Sequence, residues 1–137
     1  MYGNPAVDCD GAQMRALCRQ LATVVTVSGD VNDTNVDHIG NYAKRFILME
    51  KPFVLDLSGV NLFSTECISL LYRLDEDCHH AGVEWSIVAS QPVLRTLQLS
   101  GERETFPTAD SVPEALHHFA DSMSERRRLL PLLTKTA

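Results

Sequence analysis

Two hydroxyl residues and a carboxylate, Ser64, Thr65 and Glu66, stand between the apolar run VLDLSGVNLF and a leucine-rich helical repeat. Ser64 is a residue type that caps helices, and an acidic Glu66 in the first turn interacts favourably with the helix dipole. The same helix start offers free N–H groups and positive potential, so it could also hold a phosphate on Ser64 or Thr65. A structural cap and a phosphorylation switch therefore both stay open.

The other nucleophilic and metal-binding residue types form no recognisable site. The four cysteines (Cys9, Cys18, Cys67 and Cys78) include no C-x-x-C pair, which favours core or surface thiols over metal or redox chemistry. Redox sensing through Cys67 is a weaker alternative, because the positive end of a helix lowers a thiol pKa. The pairs His79–His80 and His117–His118 are expected on helix surfaces, since adjacent helical residues do not face each other. We expect no metal and no cofactor.

Carboxylates cluster at Asp75, Glu76 and Asp77, in the middle of a predicted helix. Catalytic carboxylates need a pocket that separates their pKa values, whereas a consecutive triplet spreads around the polar side of a helix. We therefore predict a solvated acidic face, which could still meet a basic partner. The sequence also lacks the nucleophile elbow, the phosphate loop and the dinucleotide fingerprint, so we expect that the protein is not an enzyme.

The overall charge argues against two classes of partner. The net charge of −6 predicts neither nucleic-acid binding nor attraction to anionic membranes. No apolar stretch approaches the roughly 20 residues that a membrane span needs, and the first residues lack the regions of a signal peptide. A cytoplasmic protein with reduced thiols is expected.

Periodicity predicts alternating strands and helices. The β-branched segment 22–31 indicates a strand that ends at Ser28-Gly29-Asp30, and the apolar run 53–57 indicates a central strand. The order strand, strand, helix, strand, helix, strand, helix, strand, helix is typical of a mainly parallel sheet with right-handed crossovers. Residues 13–20 predict a short edge strand, with a helical turn as the alternative. The remaining elements are a helix over 33–49 begun by Asn32 or Asp33, a helix over 65–81 stopped at Gly82, a half-buried strand at 83–89, a helix from Pro92 to Gly101, an edge strand at 105–109 and a helix capped by Ser111 and Glu114.

The two ends of the chain are expected to lie outside the domain. Residues 1–12 predict a flexible lead, residues 13–123 the folded domain, and residues 124–137 a basic and apolar tail. The tail contains Arg126, Arg127 and Arg128 and is expected to be interrupted at Pro131.

The segment VLDLSGVNLFSTECISLLYRL resembles the core motif of STAS domains, the fold of bacterial anti-sigma factor antagonists of the SpoIIAA-like group. That motif is a strand ending in D-L-S-x-V, an apolar pair, and D-S-[ST]-G opening a helix. Asp56, Leu57, Ser58 and Val60 match its first part. The segments VVTVSGDVNDTNVDHI and GVEWSIVASQPVLRTLQLSG look like further family passages, so the resemblance spans about residues 13–123.

The resemblance implies a single α/β STAS-like domain, with a mixed, mainly parallel sheet of four to five strands and about four helices. It also implies a non-enzymatic switch that binds an anti-sigma factor of the serine/threonine kinase type and is released by phosphorylation. By position the phosphoacceptor falls on Thr65, with Ser64 the weaker candidate, while Ser64, Glu66 and Cys67 replace the Asp, the following residue and the Gly of the motif. A scaffold or ligand-sensing module that works without phosphorylation is the alternative, and a homodimer stays open. The expected partner-binding residues are Gly29, Asp30, Ser58, Asn61, Ser64, Thr65 and Glu66.

Overall fold

The computed structural model describes residues 6–19, 21–48 and 51–136, with side chains described through Ser124. Within these residues, six strands form one sheet in the order β1-β2-β3-β4-β5-β6. The first two pairings are antiparallel and the last three are parallel, as expected for a mixed, mainly parallel sheet. The strands are β1 (Val7–Cys9), β2 (Ala12–Cys18), β3 (Thr23–Val31), β4 (Phe53–Phe63), β5 (Trp85–Ala89) and β6 (Thr108–Ala109).

In the described part of the chain, four α-helices connect or follow the parallel strands. A 3₁₀ turn at Thr65–Cys67 leads directly into the second helix. The helices are α1 (Val36–Lys44), α2 (Ile68–Ala81), α3 (Gln91–Leu99) and α4 (Val112–Thr136). None of the helices in the described part of the chain is both long and apolar enough to cross a membrane.

Both faces of the sheet are covered, which explains why β4 is apolar on both sides. Leu55 and Leu57 pack into the larger core cluster, whereas Val54 belongs to a smaller cluster with Ala115 and Phe119 of α4. Strand β5 was expected to be half-buried, and that prediction is wrong: Trp85, Ser86, Ile87 and Val88 are all buried. The second cluster against α4 covers the side that the alternating pattern assigned to solvent.

Helix α1 is shorter than its apolar pattern predicted. The expected range was 33–49, but the helix ends at Lys44. Phe46 and Ile47 lie beyond it and still pack against the main core. The spacing of these apolar residues therefore indicates that their side chains are buried, and it does not require that the residues be helical.

Helix ends follow the predicted signals at several places. Gly82, at φ 70°, ends α2 in the left-handed conformation that favours glycine. The N–H of Glu114 donates to Ser111 Oγ at 3.1 Å, and the Glu114 carboxylate accepts the N–H of Asp110 at 3.0 Å. These two bonds form the predicted capping arrangement of α4, except that the Glu114 carboxylate accepts the N–H of Asp110 instead of the N–H of Ser111 itself.

The two end segments also differ from the expectation. Strand β1 lies within the segment 1–12 that was expected to be a flexible lead. It forms one edge of the sheet and brings the number of described strands to six, one more than the expected four to five. Helix α4 continues through Pro131 to Thr136, so the expected interruption is not seen. A proline removes one helical hydrogen bond, but its fixed φ of about −65° is compatible with a helix. The side chains of Arg126, Arg127 and Arg128 lie outside the described residues.

Candidate functional site

Two irregularities in β4 set the positions of the candidate binding residues. Opposite β3, the register of β4 advances by one extra residue between Asp56 and Gly59 and again between Val60 and Leu62. A bulge re-aims the side chains of the strand that carries the extra residue. Ser58 and Asn61 lie at these two places, and both are exposed. A loop was expected over residues 58–66, and that prediction is wrong for residues 58–63, because β4 runs to Phe63.

Ser58 is held by its own strand. The Asp56 carboxylate accepts the Ser58 N–H at 3.0 Å and the Ser58 hydroxyl at 2.7 Å through the same oxygen, Oδ1. Asp56 therefore fixes the first bulge, a role that its position as the one charge of an apolar strand did not reveal. The exposed Ser58 hydroxyl keeps its lone pairs for a partner's donor.

Gly29 and Asp30 lie inside β3, which runs to Val31, although the sequence predicted that the strand ends at Ser28-Gly29-Asp30. Their partners across β4 are Val60 and Leu62. Gly29 has φ 94°, and a Cβ at this position would lie 2.4 Å from the carbonyl oxygen of Gly11. The same carbonyl accepts the N–H of Asp30 at 2.9 Å. Gly29 thus allows the close approach of two strands, while the neighbouring Asp30 side chain is exposed.

The structure separates the two hydroxyl residues at the start of the helix. Thr65 and Glu66 are exposed, whereas Ser64 is half-buried. Ser64 occupies the N-cap position that the sequence indicated, but the capping bond expected from its side chain is not seen. Its hydroxyl lies 3.2 Å from Cys67 Sγ and makes no capping hydrogen bond, while its carbonyl accepts the Cys67 N–H at 3.0 Å.

Cys67 points into the protein. Its side chain is 0% exposed and belongs to the main core. Burial raises the pKa of the Cys67 thiol, and the carboxylates of Glu66 and Asp33 raise it further, against the opposing hydrogen bonds from Ser64. The thiol is therefore neither reachable nor activated, which contradicts the redox hypothesis for this residue. Cys78 is also in the core, and burial raises its pKa to about 12.

The loop before α1 lies beside this helix start. Strand β3 ends at Val31 directly opposite Phe63, the last residue of β4. The surface formed by Gly29, Asp30, Ser58, Asn61, Ser64, Thr65 and Glu66 is called the β4–α2 surface below.

Helix α3 holds the end of β4 in place from the other side. The Ser90 hydroxyl donates to the Val60 carbonyl at 2.7 Å, and the Thr96 hydroxyl donates to the Phe63 carbonyl at 2.6 Å. Between these two anchors Leu62 is 49% exposed. An exposed leucine on a fixed strand end suits a protein contact, and sequence reasoning missed it because Leu62 matched an apolar pair of the motif.

A buried residue that sequence reasoning also missed organises the neighbouring loop. Asn35 is 0% exposed, and its side-chain amide donates to the carbonyls of Cys9, Asp10 and Asp30 at 3.1, 3.2 and 2.8 Å. Its Oδ1 accepts the N–H of Asn32 at 3.0 Å. Asn32 and Asp33 were the expected caps, and the one signal for Asn35 is its place just before the apolar stripe of α1.

The remaining residues singled out by the sequence do not join this surface. The paired histidines are exposed on α2 and α4. Asp75 is not simply solvated as predicted, because it accepts the Trp85 indole N–H at 2.8 Å. Within the described residues, no group of three or more His, Cys, Asp or Glu side chains could hold a metal ion.

Comparison with known proteins gives one close relative in sequence and several in fold. Osmosensory protein A of Mycobacterium tuberculosis (strain ATCC 25618 / H37Rv) is 49% identical over 140 residues, covering 98% of this chain and 89% of that protein. The crystal structure of an anti-sigma factor antagonist from Mycobacterium paratuberculosis has a TM-score of 0.72 at 21% identity, covering 81% of this chain and 96% of that one.

A second solved structure, the anti-sigma factor antagonist SpoIIAA in its unphosphorylated form, has a TM-score of 0.64 at 12% identity. It covers 79% of this chain and 96% of the SpoIIAA chain. At these identities the two structures establish the fold. The family model of the STAS domain matches residues 13–115, so the chain belongs to the STAS domain family.

Proposed function

We propose that this protein is a non-enzymatic, cytoplasmic regulator similar to the anti-sigma factor antagonists. It binds a kinase-type anti-sigma factor through the β4–α2 surface and so modulates sigma-factor-dependent transcription. Phosphorylation of Thr65 switches the contact off. The observation that carries this proposal is the exposed Thr65 hydroxyl at the start of the helix that follows the central strand.

The shape of the β4–α2 surface supports a protein partner. Both sides of the β4 end are fixed, by pairing with β3 and by the two hydroxyl bonds from α3. A surface that is already ordered loses little conformational entropy when it binds. The side chains that it presents (Asp30, Ser58, Asn61, Leu62 and Thr65) are exposed polar groups around one exposed apolar residue.

Thr65 is a better phosphoacceptor than Ser64. A kinase must reach the hydroxyl oxygen, and the Thr65 side chain is exposed whereas the Ser64 hydroxyl faces the buried Cys67 sulfur. A phosphate on Thr65 would add nearly two negative charges beside the neighbouring Glu66. These charges would repel an acidic partner surface and add desolvation cost to any interface, so the phosphorylated form is the released form.

Binding measurements with a kinase-type anti-sigma factor test the proposal. Isothermal titration should give equal affinities, within about threefold, for the wild type and Thr65→Ala. Thr65→Glu should bind at least about tenfold more weakly, a loss of about 1.4 kcal/mol. Ser124→Glu is the matched control, because it places the same charge on an exposed residue of α4. When the kinase-type anti-sigma factor is incubated with ATP, it should transfer one phosphate to the Ser64→Ala variant and none to the Thr65→Ala variant.

The outcomes separate the two parts of the proposal. Equal binding by the wild type, Thr65→Ala and Thr65→Glu removes the phosphorylation switch but keeps the partner. Absence of wild-type binding removes the anti-sigma factor. Phosphate found on Ser64 moves the switch by one residue.

A second candidate is a sensing or scaffold module that works without phosphorylation. The specific support is the name of the 49% identical relative, Osmosensory protein A, together with Ser64, Glu66 and Cys67 at positions where the family motif has other residues. A small molecule retained in native mass spectrometry would favour this candidate. A bare monomer that binds the anti-sigma factor would favour the first.

A further inference from the structure

Strand β4 continues beyond the end of its neighbour β5. The pairing of these two strands ends at Leu57 and Ala89, whereas β4 runs on to Phe63. Within the described residues, the stretch 58–63 of β4 therefore pairs with a strand on its β3 side only. Backbone groups on the other side of this stretch need partners of another kind, because a buried carbonyl without a hydrogen bond is costly.

Two side-chain hydroxyls take the place of the missing strand. The Ser90 hydroxyl donates to the Val60 carbonyl at 2.7 Å, and the Thr96 hydroxyl donates to the Phe63 carbonyl at 2.6 Å. Both side chains are half-buried, and both distances are typical of O–H···O hydrogen bonds. Ser90 and Thr96 together are called the hydroxyl clamp below.

Neither residue of the hydroxyl clamp makes the hydrogen bond that is usual for its position. Ser90 is the N-cap residue of α3, but its side chain makes no capping bond. Thr96 lies within α3, where a threonine hydroxyl commonly bonds a carbonyl one turn earlier in its own helix. Both hydroxyls instead bond the same stretch of β4. Such departures from local preference are typical of residues that serve a functional site.

Helix α3 is a fixed support for the hydroxyl clamp. Val93, one turn after Ser90, and Leu97, next to Thr96, are both fully buried in the main core. The two hydroxyls therefore belong to an element that cannot shift without disturbing the core. The end of β4 is held to that element.

The segment that carries Thr65 begins at the clamped carbonyl of Phe63. Phe63 and Cys67 are both buried in the main core, and the exposed Thr65 lies midway between them. The Ser64 carbonyl accepts the Cys67 N–H at 3.0 Å. Thr96 therefore acts on the backbone only two residues before the Thr65 hydroxyl.

We propose that Ser90 and Thr96 are positioning residues for Thr65, because the hydroxyl clamp holds the Thr65 hydroxyl where a kinase can phosphorylate it. This inference rests on the proposed function. In the transfer, Thr65 Oγ1 forms a bond to the γ-phosphorus of ATP as the bond to the ADP oxygen breaks, and the hydroxyl proton leaves to a base of the kinase. Such a transfer depends strongly on the position of the attacking oxygen.

Thr96→Val tests the clamp, since it removes the hydroxyl and keeps the branched shape of the side chain. With the kinase-type anti-sigma factor and ATP, kcat for phosphorylation of Thr65 should fall at least about fivefold, and KM should change by less than about twofold. Thr96→Ser keeps the hydroxyl and should restore kcat to within about twofold of the wild type. Ser90→Ala acts five residues from Thr65 and should lower kcat by only about two- to threefold.

A purely structural role of Thr96 predicts a different result. Loss of one hydrogen bond leaves more than about 99% of a protein of ordinary stability folded, so destabilisation alone would leave kcat unchanged. Thr108→Val is the matched control, because Thr108 is an exposed threonine of β6, and it should have the kcat of the wild type. Thermal unfolding of each variant checks that it folds.

Hydrogen exchange of the full chain tests the clamp without any kinase. The Cys67 amide proton should exchange at least about fivefold faster in Thr96→Val than in the wild type, because the end of β4 opens more often. Thr96→Ser should exchange like the wild type. Amide protons of the β2–β3 pair should exchange equally in all three proteins.

The outcomes distinguish the clamp from the proposed function. Phosphate on the wild type, with the same kcat for Thr96→Val, would overturn the clamp and leave the proposed function intact. A lower kcat that Thr96→Ser does not restore would also overturn it, since packing would then be the cause. No phosphate on the wild type would remove the proposed switch and the clamp's role in it. Unchanged exchange at Cys67 in Thr96→Val would show that the hydroxyl does not hold this segment.

Discussion

The connections that follow β3 and β4 begin side by side, because Val31 is paired with Phe63 in the sheet. Both are short and polar and both lead into a helix. In the first connection Asn35 turns inward and hydrogen bonds to three carbonyls. In the second, Thr65 and Glu66 face solvent. Residues of similar polarity at equivalent places therefore differ in role, one holding the fold together and the other facing solvent.

The reason for the difference lies in what surrounds each connection. The loop after β3 is covered by β1 and its turn, whose carbonyls need donors once water is excluded. The helix start after β4 has Cys67 on its inner side and no covering element on its outer side within the described residues. A polar residue next to unpaired buried carbonyls becomes structural, whereas one that faces water is free to bind.

Asn35→Ala should give the largest effect on stability. The change leaves three carbonyls and the Asn32 N–H without their buried partner, and we expect a loss of about 3 kcal/mol in the free energy of unfolding. Urea denaturation measures it. The matched control is Asn61→Ala, an exposed asparagine on β4, which should change the free energy by less than about 0.5 kcal/mol. Similar losses for both variants would break the comparison.

Cys67, on the inner side of the second connection, should react slowly with thiol reagents because it is buried. In the folded protein at pH 8, a disulfide reagent should label the exposed Cys18 at least about 100-fold faster than Cys67 or Cys78. Rapid labelling of Cys67 would mean that the helix start opens and would revive a redox role.

The same burial predicts how stability depends on pH. The pKa of Cys78 is raised from an ordinary value of 9.0 to about 12, so between these values the unfolded chain loses a proton that the folded protein keeps. Its contribution to stability is therefore complete below pH 9 and declines as the pH rises toward 12. Urea midpoints at pH 8, 9 and 10 should fall more steeply for the wild type than for Cys78→Ala. Parallel slopes would contradict this assignment.

Removing the hydroxyls that hydrogen bond to the end of β4 should change the free energy of unfolding least. Ser58→Ala removes one exposed hydrogen bond to Asp56 but keeps the backbone N–H bond, so we expect a loss of about 0.5 kcal/mol. Ser90→Ala removes a part-buried bond to the Val60 carbonyl and should cost about 1 kcal/mol. Calorimetric unfolding distinguishes the two. A larger loss for Ser58→Ala would show that the bulge is structural rather than a presented surface.

Local patterns predicted much of the fold. The apolar run at 53–57, the stripe of α2 with its stop at Gly82 and the cap at Ser111 all act over a few residues, and each element is present. The segment DLSGV and its neighbours also indicated the family before any contact was known, and the family model confirms it. These features need only the chain's own sequence, because periodicity and capping depend on neighbours one or two turns away.

Contacts between distant segments decided the rest. The two bulges that expose Ser58 and Asn61 arise from the pairing of β4 with β3, about 30 residues earlier, and no local pattern specifies that register. The inward turn of Asn35 and the burial of Cys67 likewise depend on β1 and on the core. Sequence alone determined which elements form and which residues could do chemistry. Tertiary structure decided which of those residues face water, because burial is a property of the assembled layers.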